Sequence, residues 1–376
     1  MDFDLNDEQR LLSESVNRFV TDEYRFEERI KGMRSECGWR QDIWRQMAEL
    51  GLLGLPFSEE DGGFGGGGVE TMLVMDAFGR GLVVEPYLST VVIAGAALRR
   101  AANAAQKEAR LPGLIAGEHL MSLAHSEPHA PRHTFTVKTE ARSTGAGWML
   151  TGQKIAVLHG DSADEYVVSA TTSAGLSLFL VPANAPGVSR ITQTGYDGNR
   201  LAAVSFDAVE LMTDALLGPE GQGKALLEAM FDEANAALAA EAVGIMTSTL
   251  DLTTEYMKTR VQFGMPIGSF QALQHRAVDM LMHVELSRSM AMLAAMSLAR
   301  DPEERRRNIA AAKVQIGRAG RAIGQQAVQL HGAIGITAEY KVGHAFKRLT
   351  AIDALFGDAD HHLDVLAEAG GLMPII

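Results

Sequence analysis

From Asn6 to Leu98 the apolar positions recur at spacings of three and four, as in LNDEQRLLSESVNRFV and WRQDIWRQMAELGLLGL, a period that predicts amphipathic helices. Between the later helices the run PFSEEDGGFGGGG combines Pro56 with six glycines, so a loop is expected there. The period changes near Gly117. Between His119 and Met212 stand short β-rich runs, FTVKTE, WMLTG, EYVVSA, LSLFLV and AAVSFDAVEL, separated by Gly, Asn, Asp and Ser turns. No helix-length segment separates these runs, so an antiparallel sheet is expected rather than a parallel one. From Gly221 the helical period returns in three long stretches, the last of them EERRRNIAAAKVQIGRAGRAIGQQAVQLHG. Helices of that length, rich in Ala, Leu and Met, pack as a bundle. The predicted order is a helical domain over residues 1–117, a β domain over 118–214 and a helical bundle over 215–376.

Composition narrows the function classes. The chain has 376 residues, of which 47% are apolar, enough for a sizeable core. A net charge of −13 with scattered Lys and Arg argues against nucleic acid, which demands a concentrated basic surface. The N-terminal MDFDLNDEQR has no apolar core of a targeting segment, and no uncharged apolar run approaches the roughly 18 residues of a membrane span. A soluble cytoplasmic protein is expected. The single cysteine, Cys37, excludes a disulfide within one chain and reads as a small buried apolar side chain. Gly63, Gly65 and Gly68 spell G-x-G-x-x-G, but a charged loop precedes them where a dinucleotide-binding turn needs a hydrophobic strand.

Several separated segments then carry a resemblance. ELGLLGLPFSEEDGGFGGG, SLAHSEP (Ser122 to Pro128), GQKIAVLHG (Gly152 to Gly160), LLGPEGQG, TRVQFGMPIGSFQALQ (Thr259 to Gln274) and QLHGAIGI (Gln329 to Ile336) appear in the order found in the acyl-CoA dehydrogenases. The chain resembles that family over nearly its full length, most of all the small subunits of dicarboxylyl-CoA dehydrogenases such as pimeloyl-CoA dehydrogenase. The resemblance implies an α+β fold with an all-α N-terminal domain, an antiparallel β-barrel-like middle domain and a C-terminal four-helix bundle. It also implies FAD as cofactor, an acyl-CoA substrate, electron-transfer flavoprotein as acceptor, a place in fatty acid β-oxidation, and a homo- or hetero-tetramer.

The resemblance implies that Ser126 and Leu158 contact the flavin, and that Arg260, Phe263, Gln271, Gln329 and Gly332 meet the pyrophosphate and adenosine of a neighbouring subunit's FAD. Chemistry is consistent with this. The planar fork of Arg260 suits a pyrophosphate, although a solvated arginine at a helix end would have the same sequence context. Gly332 and Gly335 lie where a helix ends, which serves both a cap and a close backbone approach. Ala333 stands where the family has a second glycine. Where the family's flavin strand commonly reads W-I-T, this chain has Ala156, Val157 and Leu158, so an aromatic shield and a hydroxyl are absent.

The family's reaction removes an α-proton to a carboxylate while the β-hydride passes to flavin. Aligning the family's E-G-T segment on Gly357 places Phe356 where the Glu belongs, and phenylalanine accepts no proton. Asp358 and Asp360 are displaced from that position and suit the start of a helix, where acidic residues cap. His361 and His362 lack a third metal ligand at matching spacing and read as a solvated helical turn, so no metal is expected. The family's alternative base position, on a bundle helix, falls at Ala234, with Glu233 one residue off the face. About seven residues on, and so on the same face, stands Glu241 within ALAAEAVGIM. A carboxylate there serves either as a general base or as a structural ion pair with a neighbouring helix, through Arg276 or Arg288 for example. Glu241 is the candidate catalytic residue. Three readings follow: a self-sufficient dehydrogenase, a catalytically deficient subunit completing a related chain's FAD site, and an oxidase on the same fold with an Asp base.

Overall fold

The computed structural model describes residues 5–128 and 135–370. Its helices are α1 (Asp7–Glu23), α2 (Phe26–Met33), α3 (Gln41–Glu49), α4 (Gly68–Gly81), α5 (Gly95–Ala101), α6 (Ala104–Ile115), α7 (Gly223–Thr259), α8 (Gln271–Ser297), α9 (Pro302–His331), α10 (Lys341–Ala354) and α11 (Ala359–Glu368). Its strands are β1 (Met121–Ala124), β2 (Glu140–Ser143), β3 (Gly147–Leu158), β4 (Glu165–Thr172), β5 (Gly175–Pro182), β6 (Val188–Thr194), β7 (Arg200–Met212), β8 (Leu216–Leu217), β9 (Val261–Gln262) and β10 (Met265–Pro266). The helical, β-rich and helical order of the sequence pattern is the order of the fold. No described helix is long and apolar enough to cross a membrane. The chain forms two compact units, one of Met1–Arg29, Gly68–Val83 and Asn235–Ile376, the other of Ile30–Gly67 and Val84–Ala234.

In the first unit α9 is the central helix, packed by α8, α10 and α11. Its small residues explain the close packing: Ala310, Ala312, Ala319 and Ala327 are wholly buried between the larger Ile309, Ile316 and Ile323. Helix α4 meets α7 backbone to backbone. A Cβ on Gly79 would lie 2.0 Å from the Glu241 carbonyl oxygen, and one on Gly244 would lie 1.9 Å from that of Asp76. Only glycine at both positions permits that crossing. The stretch of α7 that carries Glu241 is thereby held against a neighbouring backbone.

The second unit is built on an eight-stranded sheet in the order β6-β7-β3-β2-β4-β5-β8, with β1 beside β4. Most pairs are antiparallel, as expected, but β1 runs parallel to β4, from Met121 opposite Glu165 to Ala124 opposite Val168. β2 meets the same edge of β4 only at Thr171. A four-residue β2 leaves the start of that edge open, and β1 fills it. The segment FTVKTE departs further from expectation, since the strand begins only at Glu140. Glu127 supplies the reason. Its carboxylate accepts the N–H groups of Lys138 (2.6 Å) and Thr139 (2.9 Å) and the Thr139 hydroxyl (2.6 Å), taking donors a ladder would use.

The same carboxylate accepts from Lys154 Nζ at 2.8 Å, and that ammonium also reaches the His125 carbonyl (3.1 Å) and Ser169 Oγ (3.1 Å). Lys154 is wholly buried. Burial pushes Glu127 up, but Lys154, Thr139 and the Lys138 N–H outweigh it and hold the carboxyl at about 2. Burial pushes Lys154 down to about 8 against the pull of Glu127. Cys37, expected as a buried apolar side chain, is half-buried and donates from Sγ to the Trp39 carbonyl at 3.1 Å.

Two predictions follow from this packing. Gly244→Ala should lower stability by about 3 kcal/mol, because overpacking against a fixed backbone has no flexible neighbour to absorb it, and a denaturant midpoint shift at unchanged slope would measure it. Because Glu127 ionises at about 2 in the folded state and at its ordinary 4.5 in the unfolded chain, its stabilisation is complete above the latter and fades as pH falls toward the former. Melting temperatures taken down that range should fall, and Glu127→Gln should flatten the fall.

Candidate functional site

The C-terminal ends of α7 and α9 meet in the first unit. The His331 ring stacks on Tyr256 with centroids 4.5 Å apart and planes 29° apart. Its Nδ1 lies 2.8 Å from the Ala327 carbonyl and its Nε2 lies 3.3 Å from the Tyr340 hydroxyl. The carbonyl can only accept, so Nδ1 carries the hydrogen and the Tyr340 hydroxyl donates to Nε2. Burial lowers the His331 pKa against the smaller upward pull of the Ala327 carbonyl, which keeps this neutral form. This stack, which sequence reading missed, brings the segment after Tyr256 to the end of α9. Arg260 follows one turn later, exposed, with its N–H on the Tyr256 carbonyl (2.8 Å) and its carbonyl on Ile267 N–H (2.8 Å).

Between them β9 and β10 form a two-residue hairpin at Phe263 (φ 54°) and Gly264 (φ 81°), the left-handed pair such a turn requires. Phe263 is 91% exposed, an apolar ring with nothing over most of it. Gln271 opens α8, and Gln329 lies exposed on the last turn of α9. Gly332 caps that helix at φ 66°, with nothing within 4 Å of where a Cβ would stand. Arg260, Phe263 and Gln271 therefore share one end of this unit with Gln329 and Gly332. The only signal for His331 was its place inside QLHG, and none pointed to Tyr256.

Ser126 and Leu158 belong to the β unit. The Ser126 carbonyl accepts Ile155 N–H at 2.8 Å, which joins the S-E-P turn, with Ser126 itself exposed, to the end of β3. The Leu158 carbonyl accepts the Ser122 hydroxyl at 2.8 Å. Between them Ala156 takes a left-handed φ of 53° where the β3–β7 register shifts, so the bulge re-aims this stretch. Behind the turn an aromatic cluster absent from the sequence reading forms from three distant segments. His125 and Phe135 each face Phe231, at 5.5 and 5.7 Å between centroids, while His125 Nδ1 lies 2.8 Å from Ser169 Oγ.

Three of the candidate carboxylates, Glu241, Glu233 and Asp358, have definite partners, while Asp360 lies exposed in the first turn of α11. Glu241 is buried and held bidentately by Arg348, Nε to Oε1 at 2.6 Å and Nη2 to Oε2 at 2.8 Å. The partner on the neighbouring helix is thus Arg348 of α10. Arg276 instead donates to Gln326 (3.0 Å), and Arg288 lies near Glu285 (3.6 Å) and Thr247 (3.4 Å). Ala234 is wholly buried, and Glu233 is paired with both Arg99 and Arg100. Phe356 has a left-handed φ of 53°, with its carbonyl accepting from Asn235 Nδ2 (3.3 Å) and His362 Nε2 (3.2 Å). Asp358 caps α11, accepting His361 N–H at 2.9 Å. His362 is only 6% exposed, so the second histidine is part of this packed connection and not of a solvated turn, because its ring is drawn in by the Phe356 carbonyl.

Comparison with known proteins agrees with this architecture. Models of the acyl-CoA dehydrogenase N-terminal, middle and C-terminal domains match residues 6–118, 122–209 and 221–371. A probable acyl-CoA dehydrogenase of Bacillus subtilis, YngJ, is 30% identical over 91% of this chain and 92% of its own length. Among solved structures, a chain of the ChsE4-ChsE5 complex from Mycobacterium tuberculosis superposes with a TM-score of 0.91 at 26% identity, covering 100% of this chain and 100% of that one. The FAD complex of PigA does so at 0.90 and 25% identity, over 99% of this chain and 100% of that one. With all three domain models matched in order along a fold of the same helical, β and helical plan, the chain belongs to the acyl-CoA dehydrogenase family.

Proposed function

We propose that this chain is one subunit of a heteromeric, FAD-dependent acyl-CoA dehydrogenase that converts an acyl-CoA thioester to its trans-2-enoyl-CoA, with Glu241 as the base. The carrying observation is Glu241 itself, a carboxylate sunk among apolar residues with its charge balanced by one arginine. Arg348 uses one lone pair on each oxygen, and the remaining lone pairs can accept the substrate's α-proton without breaking the pair. FAD, when bound, supplies the two-electron acceptor for the β-carbon's hydride. Electron-transfer flavoprotein is the proposed onward acceptor.

The exposed end formed by Arg260, Phe263, Gln271, Gln329 and Gly332 suits the pyrophosphate and adenosine of FAD. It offers a cationic fork, an uncovered aromatic ring, two amides and an open backbone approach. Ser126 offers a hydroxyl and Leu158 an apolar contact to the flavin ring. Subunit assembly is supported by α8, where Val278, Leu281, Met282 and Leu286 are about half exposed at spacings that place them on one face. The likeness to a complex of two named chains, ChsE4 and ChsE5, favours an unlike partner. The motif resemblance to dicarboxylyl-CoA dehydrogenases makes pimeloyl-CoA the first substrate to try.

A second reading, a deficient subunit that only completes a partner's FAD site, is favoured by Phe356 at the usual base position and by Ala156 and Leu158 on the flavin strand. One experiment separates the two. The chain purified alone, and again with its partner, should carry FAD whose absorbance bleaches anaerobically with an acyl-CoA. Glu241→Gln should retain the flavin and slow bleaching by about a thousandfold or more, the loss expected of a general base. Bleaching unaffected by Glu241→Gln would reject Glu241 as the base, and bleaching seen only with the partner present and insensitive to Glu241→Gln, or only in Phe356→Glu, would favour the deficient-subunit reading.

A separate test addresses the cofactor. Arg260→Ala should weaken FAD retention about tenfold or more, as one charge-assisted hydrogen bond to phosphate is removed, with the fold unchanged by circular dichroism. Titration of the apoprotein with FAD measures it.

A further inference from the structure

The connection Leu355–Asp358 between α10 and α11 holds Phe356 at φ 53° beside Gly357 at φ 107°. A side chain with a Cβ keeps a left-handed backbone only where its surroundings over-determine it. Much of the hold comes from one face of α9. Lys313, wholly buried, donates from Nζ to the carbonyls of Ile352 (2.7 Å) and Leu355 (2.9 Å), where α10 ends with unpaired carbonyls. One turn later a Cβ on Gly317 would lie 2.1 Å from Asp353 Oδ1. One turn later again, Arg321 Nη2 donates to Asp353 Oδ2 at 3.1 Å. Asp353 Oδ1 in turn accepts the N–H of Ala359, the first residue of α11, at 3.2 Å. The 313, 317 and 321 positions thus act on both ends of the connection, while Asn235 and His362 hold the Phe356 carbonyl between them.

A lysine is a costly way to fill that space. Burial pushes its pKa down to about 7 against the pull of Asp353 and Asp358, whereas methionine would occupy a similar volume with no such penalty. What methionine cannot do is hold two carbonyls.

We propose that Lys313 and Arg321 are positioning residues for the reaction site, fixing the Leu355–Asp358 connection so that the Phe356 ring is a rigid wall for the acyl chain. This rests on the acyl-CoA dehydrogenase reading above, in which that connection borders the substrate. It assigns the ring a specificity role in place of the absent carboxylate.

The test uses the full chain with its flavin, as wild type, Lys313→Met and Arg321→Met. Amide hydrogen exchange over residues 355–359 and calorimetric titration with octanoyl-CoA, palmitoyl-CoA and pimeloyl-CoA are measured together. Lys313→Met should raise exchange of those amides about tenfold or more and weaken the tightest-binding acyl-CoA by a similar factor, with flavin content and exchange in α8 and the rest of α9 unchanged. Arg321→Met should do the same to a smaller extent. Its side chain is 68% exposed, so it folds and keeps the test decisive if the lysine variant does not. Unchanged exchange in the folded variants overturns the inference, as does raised exchange with unchanged acyl-CoA affinity. A wild-type chain that binds none of the three acyl-CoAs overturns the underlying reading instead, and the wild-type titration alone distinguishes that case.

Discussion

Glu241 and Arg348 are two of the charges buried in the helical unit, and each is tolerable because it faces the other. Glu241 of α7 and Arg348 of α10 are bound through two hydrogen bonds, and removing either partner would strand the other at a cost of about 3–5 kcal/mol. The pair also fixes a register. Asn235 lies N-terminal to Glu241 on α7 and ties Phe356, which lies C-terminal to Arg348. The two ties therefore run in opposite chain directions, so neither helix can slide without breaking both. The placement of the Phe356 connection, the cap at Asp358 and the burial of His362 all depend on that register.

The β unit solves the same problem differently. Glu127 is saturated by two backbone N–H groups, a hydroxyl and an ammonium, and Lys154 by a carboxylate, a carbonyl and a hydroxyl. Here the buried charges organise loops and not helices. They shorten one strand and anchor the turn that presents Ser126. The left-handed Ala156 lies just beyond the buried lysine, so the course of this end of β3 is set by neighbours as well as by its own sequence.

The sequence pattern was enough to find the long helices and most strands, because α9 and β7 bury one face, while α7, β4 and β5 read as long apolar runs buried on nearly every side. It failed at FTVKTE, where a side chain twelve residues away in sequence captured the backbone donors. It also missed the parallel placement of β1, which depends on an edge left open by a short neighbour. Among the candidate site residues, Arg260, Gln329 and Gly332 could be named from motifs, and the Asp358 cap from helix chemistry. The partner of Glu241 could not, since nothing local distinguishes Arg348 from Arg276 or Arg288. The stack of His331 on Tyr256 and the cluster of His125, Phe135 and Phe231 likewise join residues far apart in the chain, and only the folded chain reveals them.

The glycine crossing of α4 and α7 has a mechanical consequence. Gly79 rests on the carbonyl of Glu241, and Gly244 rests on that of Asp76, so the two backbones touch at a pair of points one turn apart on each helix. Side chains elsewhere can yield by changing rotamer, but backbone atoms in contact cannot. Any rearrangement of α4 that leaves this contact intact is a rotation about it, and the residue at the pivot is the one that carries the buried carboxylate.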